Sequence, residues 1–265
     1  EAAHRRGDQA EATRLYTAKL QVNAADVDAL YGLGTLAMQA GRVKEARPLL
    51  EQAVALEPDA GEIIYNYAIC LQQSGDLAAA TRMAERAAAC SGIDEHFSLM
   101  VCRLLLRLNV PQLVIKQMSQ FPHKGLPSAI LYARALGAIG EWARAVTNLR
   151  QLLKNHQDNP DVARELSLAA GTLRDYSLAI DSYAHYMSLI SPGVDDFVKF
   201  ADLYLLARQP AQCAANLQRA AEIGADTADF HLLQSRLARL NGDYELAEKA
   251  GKAALLRQPD NSQAW

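Results

Sequence analysis

The sequence has little excess of charge of either sign and no long apolar run, and each absence excludes a class of protein. Its 265 residues include 27 Lys and Arg against 30 Asp and Glu, so it lacks the overall positive field that attracts nucleic acid. The longest loosely apolar stretch, around Leu99–Leu108, is interrupted by Arg103 and Arg107. It is shorter than the roughly 20 residues that a membrane-spanning helix needs. We therefore expect no nucleic-acid partner and no membrane insertion.

Cysteines and catalytic motifs are also scarce. The four cysteines form no CxxC pair and have no histidine at metal-binding spacing; they are Cys70, Cys90, Cys102 and Cys213. We expect small buried side chains in a reducing compartment, the cytoplasm, with the periplasm as the alternative. The sequence contains no nucleophile motif, glycine-rich phosphate loop or zinc spacing. We therefore predict no catalytic residue, no cofactor and no metal site within these residues.

What the chain does contain is an internal repeat, visible as three columns of residues in one register. The first column is mostly glycine: Gly7, Gly41, Gly75, Asn109, Gly140, Arg174, Arg208 and Gly242. The second holds small residues: Ala12, Ala46, Ala80, Val114, Ala145, Ala179, Cys213 and Ala247. The third is also small: Gly34, Ala68, Cys102, Ala133, Ser167, Ala201 and Ser235. All three columns advance by 34 residues except for one shared step of 31.

These columns are typical of antiparallel helix pairs. Two helices approach closely only where their side chains are small, so the second and third columns predict where the helices of a pair cross. The glycine column predicts the turn between them. Larger apolar residues, such as Leu30, Leu33 and Leu50, surround the predicted crossing. A single pair cannot shield both of its faces, so neighbouring pairs are expected to stack.

The chain resembles the tetratricopeptide repeat family, whose 34-residue helix–turn–helix unit has small residues at these spacings and a terminal proline, here Pro58 and Pro259. The resemblance implies an all-α fold, a right-handed superhelical solenoid of antiparallel helix pairs. It divides the chain into a partial unit at 1–26, complete units at 27–60, 61–94, 126–159, 160–193, 194–227 and 228–261, a degenerate short unit at 95–125, and the start of a further repeat at 262–265.

The two ends of the chain both fall inside a repeat. Residues 1–26 correspond to the second helix of an earlier unit, and Ser262 opens a new one. Trp265 falls in a column of large residues. We therefore expect a fragment of a longer protein, whose open repeat ends allow self-association.

The unit at 95–125 departs from the pattern. It is three residues short, has Asn109 at its turn, and ends in the breaker-rich stretch FPHKGLP, which starts at Phe121. We predict a shortened second helix and a kink in the superhelix. One interpretation is a partner site or hinge. The other, which we favour, is an old deletion accommodated by local repacking.

In the family the first helices line a concave groove, and the resemblance implies that ten residues face it: Tyr31, Thr35, Tyr65, Asn66, Ile69, Arg103, Arg134, Arg164, Lys199 and Arg236. Tyr31, Tyr65 and Asn66 would form an aromatic and amide cluster suited to a peptide backbone, because an Asn amide both donates and accepts. The five cations would form a basic stripe that favours an acidic or phosphorylated segment. Alternatively, the arginines pair with neighbours such as Glu165 or Asp202 and are merely solvated.

Three functions fit this interpretation. The leading one is a non-catalytic scaffold that binds a protein or peptide in its groove. The first alternative is a substrate-recruiting module of a larger bacterial enzyme, with a sulfotransferase or glycosyltransferase domain outside these residues. The second is a periplasmic scaffold of exopolysaccharide export, as in the cellulose synthase C-type subunits.

Overall fold

A computed structural model describes residues 8–90, 94–120 and 125–259, with no statement about the side chain of Gln120. These residues form fifteen α-helices and no strand, so the all-α prediction is confirmed. In chain order the helices are α1 (Gln9–Val22), α2 (Val27–Gln39), α3 (Val43–Leu56), α4 (Gly61–Gln73), α5 (Leu77–Ala89), α6 (Glu95–Arg107), α7 (Pro111–Gln120), α8 (Leu126–Ala138), α9 (Trp142–Asn155), α10 (Pro160–Thr172), α11 (Tyr176–Leu189), α12 (Val194–Leu206), α13 (Pro210–Glu222), α14 (Ala228–Leu240) and α15 (Tyr244–Arg257).

The turn column lies where the first helix of each pair ends. All seven of its described members have a positive φ, from 57° at Arg208 to 84° at Gly75 and Gly140. At Arg208 the backbone N–H donates to the Leu205 carbonyl at 3.0 Å, and the next N–H donates to the Tyr204 carbonyl at 2.9 Å. These bonds satisfy carbonyls that the helix end leaves free. The repeat register therefore predicts the left-handed turn even where the residue is not glycine.

Short acidic side chains start many of the helices. The Asp76 carboxylate accepts a hydrogen bond from the backbone N–H of Ala79 at 3.2 Å, and Asp175 and Asp243 cap α11 and α15 in the same way. Such a cap satisfies one of the free N–H groups in the first turn. Glu141 occupies the same repeat position but makes no capping bond, and instead pairs with Arg144.

The small residues predicted at the helix crossings are tightly packed. Every described member of the second column is buried. At Gly34 an added Cβ would lie 2.7 Å from Cγ of Leu50, whose side chain is fully buried. That distance is too short for any real contact, so α2 and α3 pack at this separation only because residue 34 has no side chain.

The helices form two compact units, Glu1–Ile139 and Gly140–Trp265. In the first, α1 to α8 pack in chain order around a core that includes Leu30, Leu50, Ile64 and Leu104. In the second, α9 to α15 pack in the same manner. Within each unit the helices therefore stack pairwise, as a solenoid does.

The core of the second unit has a distinct aromatic part. The ring centroid of Tyr183 lies 5.2 Å from that of Tyr186 and 5.3 Å from that of Phe200. The ring centroid of Tyr204 lies 4.7 Å from that of Phe200. The contact between Tyr183 and Phe200 joins α11 to α12.

Some predictions stay untested. The first helices begin at the residues given above for their units, but the division of the chain into these repeat units stays a prediction. Helix α7 is described over ten residues, against thirteen in α6. Phe121 and the rest of 121–124 lie outside the described residues, so the shortened helix and the kink also stay predictions. The same holds for Gly7, Ser262 and Trp265, which lie outside the described residues, and for the handedness of the superhelix.

Candidate binding grooves

In the first unit, α2 and α4 line an open cavity of about 620 Å³ that contains two of the predicted groove residues, Tyr31 and Thr35. Three carboxylates also line it, those of Asp28, Glu57 and Glu62, and none of its lining residues is cationic. We name this cavity the first groove. Its side chains give it a negative potential.

Of the predicted cluster of Tyr31, Tyr65 and Asn66, the side chains of Tyr31 and Asn66 are hydrogen-bonded to each other. Nδ2 of Asn66 donates to the Tyr31 hydroxyl at 2.7 Å and to the Glu62 backbone carbonyl at 2.9 Å. Both amide protons are therefore used, and only the Asn66 oxygen remains for a peptide backbone. Burial, with the Glu62 charge nearby, raises the pKa of Tyr31 to about 12, so the phenol stays protonated at neutral pH.

Three further predicted residues lie on α2 and α4, and of these only Thr35 lines the first groove. Tyr65 is only 8% exposed and packs edge-on against Phe97, with ring centroids 5.8 Å apart. The Thr35 hydroxyl donates to the Gly32 carbonyl of its own helix at 2.9 Å. Ile69 is half-buried against the unit's core. Sequence reasoning placed these residues on the correct helices but could not show that their side chains are already engaged.

Two cations of the predicted stripe lie in the first unit, and both are exposed. Arg103 is on α6, and Arg134 is on α8. Burial raises the pKa of the Tyr65 phenol, and the charges of Arg107 and Arg103 oppose that rise. Arg103 therefore lies within electrostatic reach of Tyr65.

In the second unit, α10, α12 and α14 line an open cavity of about 720 Å³, with Tyr183 of α11 contributing to its lining. We name this cavity the second groove. It brings together the three remaining predicted cations, Arg164, Lys199 and Arg236. Three carboxylates line it as well, those of Glu165, Asp202 and Asp229, so its formal charges cancel.

Two of these cations have carboxylate partners. Arg236 donates to Asp202 at 3.0 Å, and a guanidinium nitrogen of Arg164 lies 3.9 Å from Glu165. The alternative prediction, that the arginines pair with neighbours, thus describes Arg164 and Arg236. Among the described residues Lys199 has no ion pair. Of the three cations of the predicted stripe in this unit, only Lys199 therefore lacks an ion pair among the described residues.

Sequence reasoning missed the apolar part of the second groove. Leu168 is 61% exposed and Leu206 is 41% exposed, and both line the cavity. Leu168 stands 34 residues before Asp202 and 34 after Arg134, in a column that the sequence interpretation had already placed in the groove. The repeat register indicated that residue 168 faces the groove, but an aliphatic residue at that position was not counted among the candidate binding residues.

Tyr183 was also missed, because it lies on a second helix and only first helices were considered. Its side chain is 5% exposed, and its buried hydroxyl has no hydrogen-bond partner among the described residues. Burial raises the pKa of the phenol, and the Asp196 charge adds to the rise, so the group is a hydrogen-bond donor throughout the physiological range.

The cysteines behave as predicted for small buried side chains. Cys70, Cys102 and Cys213 are buried, and Cys90 is half-buried. Burial raises the pKa of Cys102 and of Cys213 to about 11, which keeps both thiols protonated and unreactive.

Within residues 8–90, 94–120 and 125–259 no three His, Cys, Asp or Glu side chains are placed to hold a metal ion. None of the helices there is both long and apolar enough to span a bilayer.

Comparison with known proteins supports the repeat interpretation. One family model described as tetratricopeptide repeat matches residues 37–91, and a second with the same description matches 1–54 and 132–186. A tetratricopeptide repeat protein from Parabacteroides merdae superposes with a TM-score of 0.69 at 13% identity, covering 90% of this chain and 95% of that one. The C-terminal part of a repeat-containing protein from Cytophaga hutchinsonii gives 0.57 at 14% identity, covering 99% and 95%.

A curated relative carries a more specific name. Cellulose synthase operon protein C of Xanthomonas axonopodis pv. citri (strain 306) is 23% identical over 271 residues, which is 97% of this chain. The chain spans only 17% of the length of that relative. Proteins built from such repeats are generally non-catalytic scaffolds for protein interaction. The matching models, the solved structures and the stacked helix pairs show that the chain belongs to the tetratricopeptide repeat family.

Proposed function

We propose that this chain is a non-catalytic scaffold that binds a protein or peptide in the grooves lined by its first helices. The observation that carries the proposal is the second groove, whose lining includes the exposed side chains of Leu168 and Leu206 together with charged side chains. Apolar side chains that line a concave surface gain free energy when a partner covers them, by roughly 25 cal/mol for each Å² removed from water.

The experiment is an affinity purification from the lysate of the source organism, read by mass spectrometry. Three baits are compared: the chain itself, a variant with Leu168→Asp and Leu206→Asp, and the control Leu256→Asp. Leu256 is 82% exposed on α15 and does not line the groove. A protein that the chain and the control enrich and the double variant loses supports the proposal. Equal recovery on all three baits contradicts it.

A second candidate function rests on the named relative. We propose a role in exopolysaccharide export as this second candidate, because the similarity to cellulose synthase operon protein C extends over 97% of this chain. In that role the chain would be a periplasmic scaffold, and its grooves would bind other export proteins. In the first role the chain would be cytoplasmic, the compartment that suits its free thiols.

Cell fractionation and gene deletion distinguish the general scaffold from the export role. Export predicts the protein in the periplasmic fraction and a loss of secreted polysaccharide when the gene is deleted. A cytoplasmic location with unchanged secretion contradicts the export role and leaves the general scaffold in place. The enzyme-module alternative stays a hypothesis, to be tested by reading the gene beyond residue 265.

A further inference from the structure

We propose that Asn241 is a site of spontaneous deamidation and isoaspartate formation, and that this modification loosens the last helix pair of the second unit. The proposal concerns the chemistry of the chain itself and does not depend on the proposed scaffold function. Asn241 directly follows α14, and Gly242 comes next in the turn before α15. Among the asparagines that the structure describes, Asn241 alone is followed by glycine.

The reaction needs the side-chain amide, the next backbone nitrogen and water. After it loses its proton to hydroxide, the Gly242 nitrogen attacks Cγ of Asn241 and forms a C–N bond. The side-chain nitrogen takes up a proton and leaves as ammonia, so a five-membered succinimide remains. Water then adds to one of the two ring carbonyls and breaks its bond to the ring nitrogen. Opening at the side-chain carbonyl gives aspartate, and opening at the main-chain carbonyl gives isoaspartate.

Glycine after the asparagine removes the steric obstacle to this attack, because a Cβ on the next residue would crowd the approaching nitrogen. The repeat supplies this glycine for another reason: residue 242 lies in the left-handed turn, with a φ of 79°. The other described turns of this column have Ala, Ser, Leu or Ile before the turn residue. Among these turns, the reactive pair therefore arises only between α14 and α15.

The turn leaves the reacting groups accessible. All residues from Arg239 to Leu246 are exposed, and the Asn241 side chain makes no hydrogen bond to another described residue. The ψ of Asn241 is −5°, so the backbone must rotate to bring Cγ next to the Gly242 nitrogen. That rotation breaks one bond, from the Gly242 N–H to the Arg239 carbonyl at 3.2 Å. An exposed turn can open in this way while the helices stay folded.

Both products would weaken the end of α14. Each places a carboxylate at its C-terminal end, where the helix dipole disfavours negative charge. Isoaspartate also adds one carbon to the main chain between residues 241 and 242. The bond from the Asp243 N–H to the Ala238 carbonyl, at 2.9 Å, spans this point. The Asp243 carboxylate caps α15 at the N–H of Leu246. A longer backbone would therefore displace both the turn and the cap.

Helix α14 connects this turn to the rest of the unit. Leu232, Leu233 and Arg236 of α14 line the second groove, and Leu233 and Leu237 belong to the core beneath it. A last pair that opens more often exposes that core. The modification would therefore act as a slow, irreversible change at one end of the second groove.

The test follows the intact chain during incubation at body temperature, at neutral and at mildly alkaline pH. Samples are digested with trypsin and read by mass spectrometry with electron-transfer fragmentation, which distinguishes isoaspartate from aspartate. The peptide 240–249, LNGDYELAEK, contains Asn241. The peptide 20–42 contains the control Asn23, which is exposed but precedes Ala24. A sample taken before incubation measures the deamidation that digestion itself causes.

Aspartate and isoaspartate should accumulate at residue 241 several-fold faster than at Asn23, with isoaspartate in excess. The rate should rise with pH, because the attacking nitrogen must lose its proton. The aged chain should have a lower urea midpoint of unfolding than the fresh chain. Asn241→Gln should show neither change on ageing, because glutamine would have to form a six-membered ring. Fresh Asn241→Asp should lie between the fresh and aged chains, since it adds the charge without lengthening the backbone.

Three outcomes contradict the proposal. Equal rates at Asn241 and Asn23 would show that the glycine confers no reactivity in this turn. Modification of residue 241 in the urea-unfolded chain but not in the folded chain, over the same period, would show that the turn protects the amide. An aged chain that contains isoaspartate at residue 241 but keeps the urea midpoint of the fresh chain would show that the modification does not loosen the last pair.

Discussion

The two grooves are lined by equivalent helices but offer different chemistry to a partner. Three carboxylates line the first groove together with Tyr31, and the amide donors of Asn66, which bonds to the Tyr31 hydroxyl, are used within the protein. In the second groove the charges cancel, two leucines are exposed, and the Tyr183 hydroxyl has no partner among the described residues.

The difference shows which positions of a repeat are constrained. Packing fixes the small residues at the crossings and the left-handed residue at the turn, because every pair needs both. The residues on the concave surface carry no such requirement. Each unit can therefore acquire its own specificity while the scaffold stays the same, and predictions about the scaffold and about the grooves should be tested separately.

The largest expected effect concerns the scaffold. Gly34→Ala gains the helix propensity of alanine but places a methyl group 2.7 Å from Cγ of the fully buried Leu50. Overpacking costs about 1–3 kcal/mol, which exceeds the gain of about 1 kcal/mol from removing a helical glycine. We expect a lower free energy of unfolding, measured by urea denaturation.

The matched control for this change lies in the second unit. Gly171 is also helical, but an added Cβ would lie 3.6 Å from Leu203, which is an ordinary contact. Gly171→Ala should therefore be neutral or stabilising by up to about 1 kcal/mol. Equal losses for the two variants would show that the crossing at Gly34 is no tighter than the surface of the second groove.

The turns give the next effect. Gly41 has a φ of 72° in the first unit, whereas Arg208 adopts 57° in the second without the freedom of glycine. Left-handed geometry costs a residue with a Cβ about 1–2 kcal/mol. Gly41→Ala should lower the free energy of unfolding by about 1 kcal/mol, and Arg208→Gly should raise it by a similar amount. Thermal unfolding followed by circular dichroism measures both, and a loss in both variants would contradict this account.

The two tyrosines sharpen the comparison of the grooves. Tyr31→Phe removes the hydroxyl that accepts a bond from Asn66, so it should cost about 1 kcal/mol of stability. Tyr183→Phe removes a hydroxyl without a partner among the described residues, so it should cost nothing or stabilise by about 1 kcal/mol. Urea denaturation of the two single variants measures this opposite sign. Two equal losses would mean that the grooves do not differ in the way described.

The sequence predicts the scaffold of this protein better than its grooves, for a physical reason. The positive φ at Arg174 and Arg208 follows from register alone, because a helix pair needs a left-handed residue at that place whatever its type. The state of a groove side chain depends on the rotamers and stagger of two neighbouring helices. The sequence placed Asn66 in the groove but could not show that its two donors are used, and it gave no reason to consider Tyr183.

The smallest expected effect is a dependence of stability on pH near the end of the second unit. The Asp226 carboxylate accepts hydrogen bonds from His231, with Nε2 at 2.8 Å, and from the Arg257 guanidinium, and these bonds lower its pKa. A carboxylate whose pKa is lower in the folded state contributes stability above its unfolded value of about 3.9, and that contribution is lost as the pH falls through the folded value.

Asp226→Asn removes this contribution. The urea midpoint of the chain should therefore exceed that of the variant at about pH 5 and approach it at about pH 3. Glu248→Gln is the control: its pKa is also lowered, by Lys252, but that pair lies within one turn of α15. Asp226 instead joins the segment before α14 to α15 through Arg257, which also donates to its backbone carbonyl at 2.9 Å. The pH-dependent difference in urea midpoint should be larger for Asp226→Asn than for Glu248→Gln, because losing the Asp226 carboxylate separates two elements. A difference that does not change with pH would show that Asp226 does not hold the segment before α14 to α15.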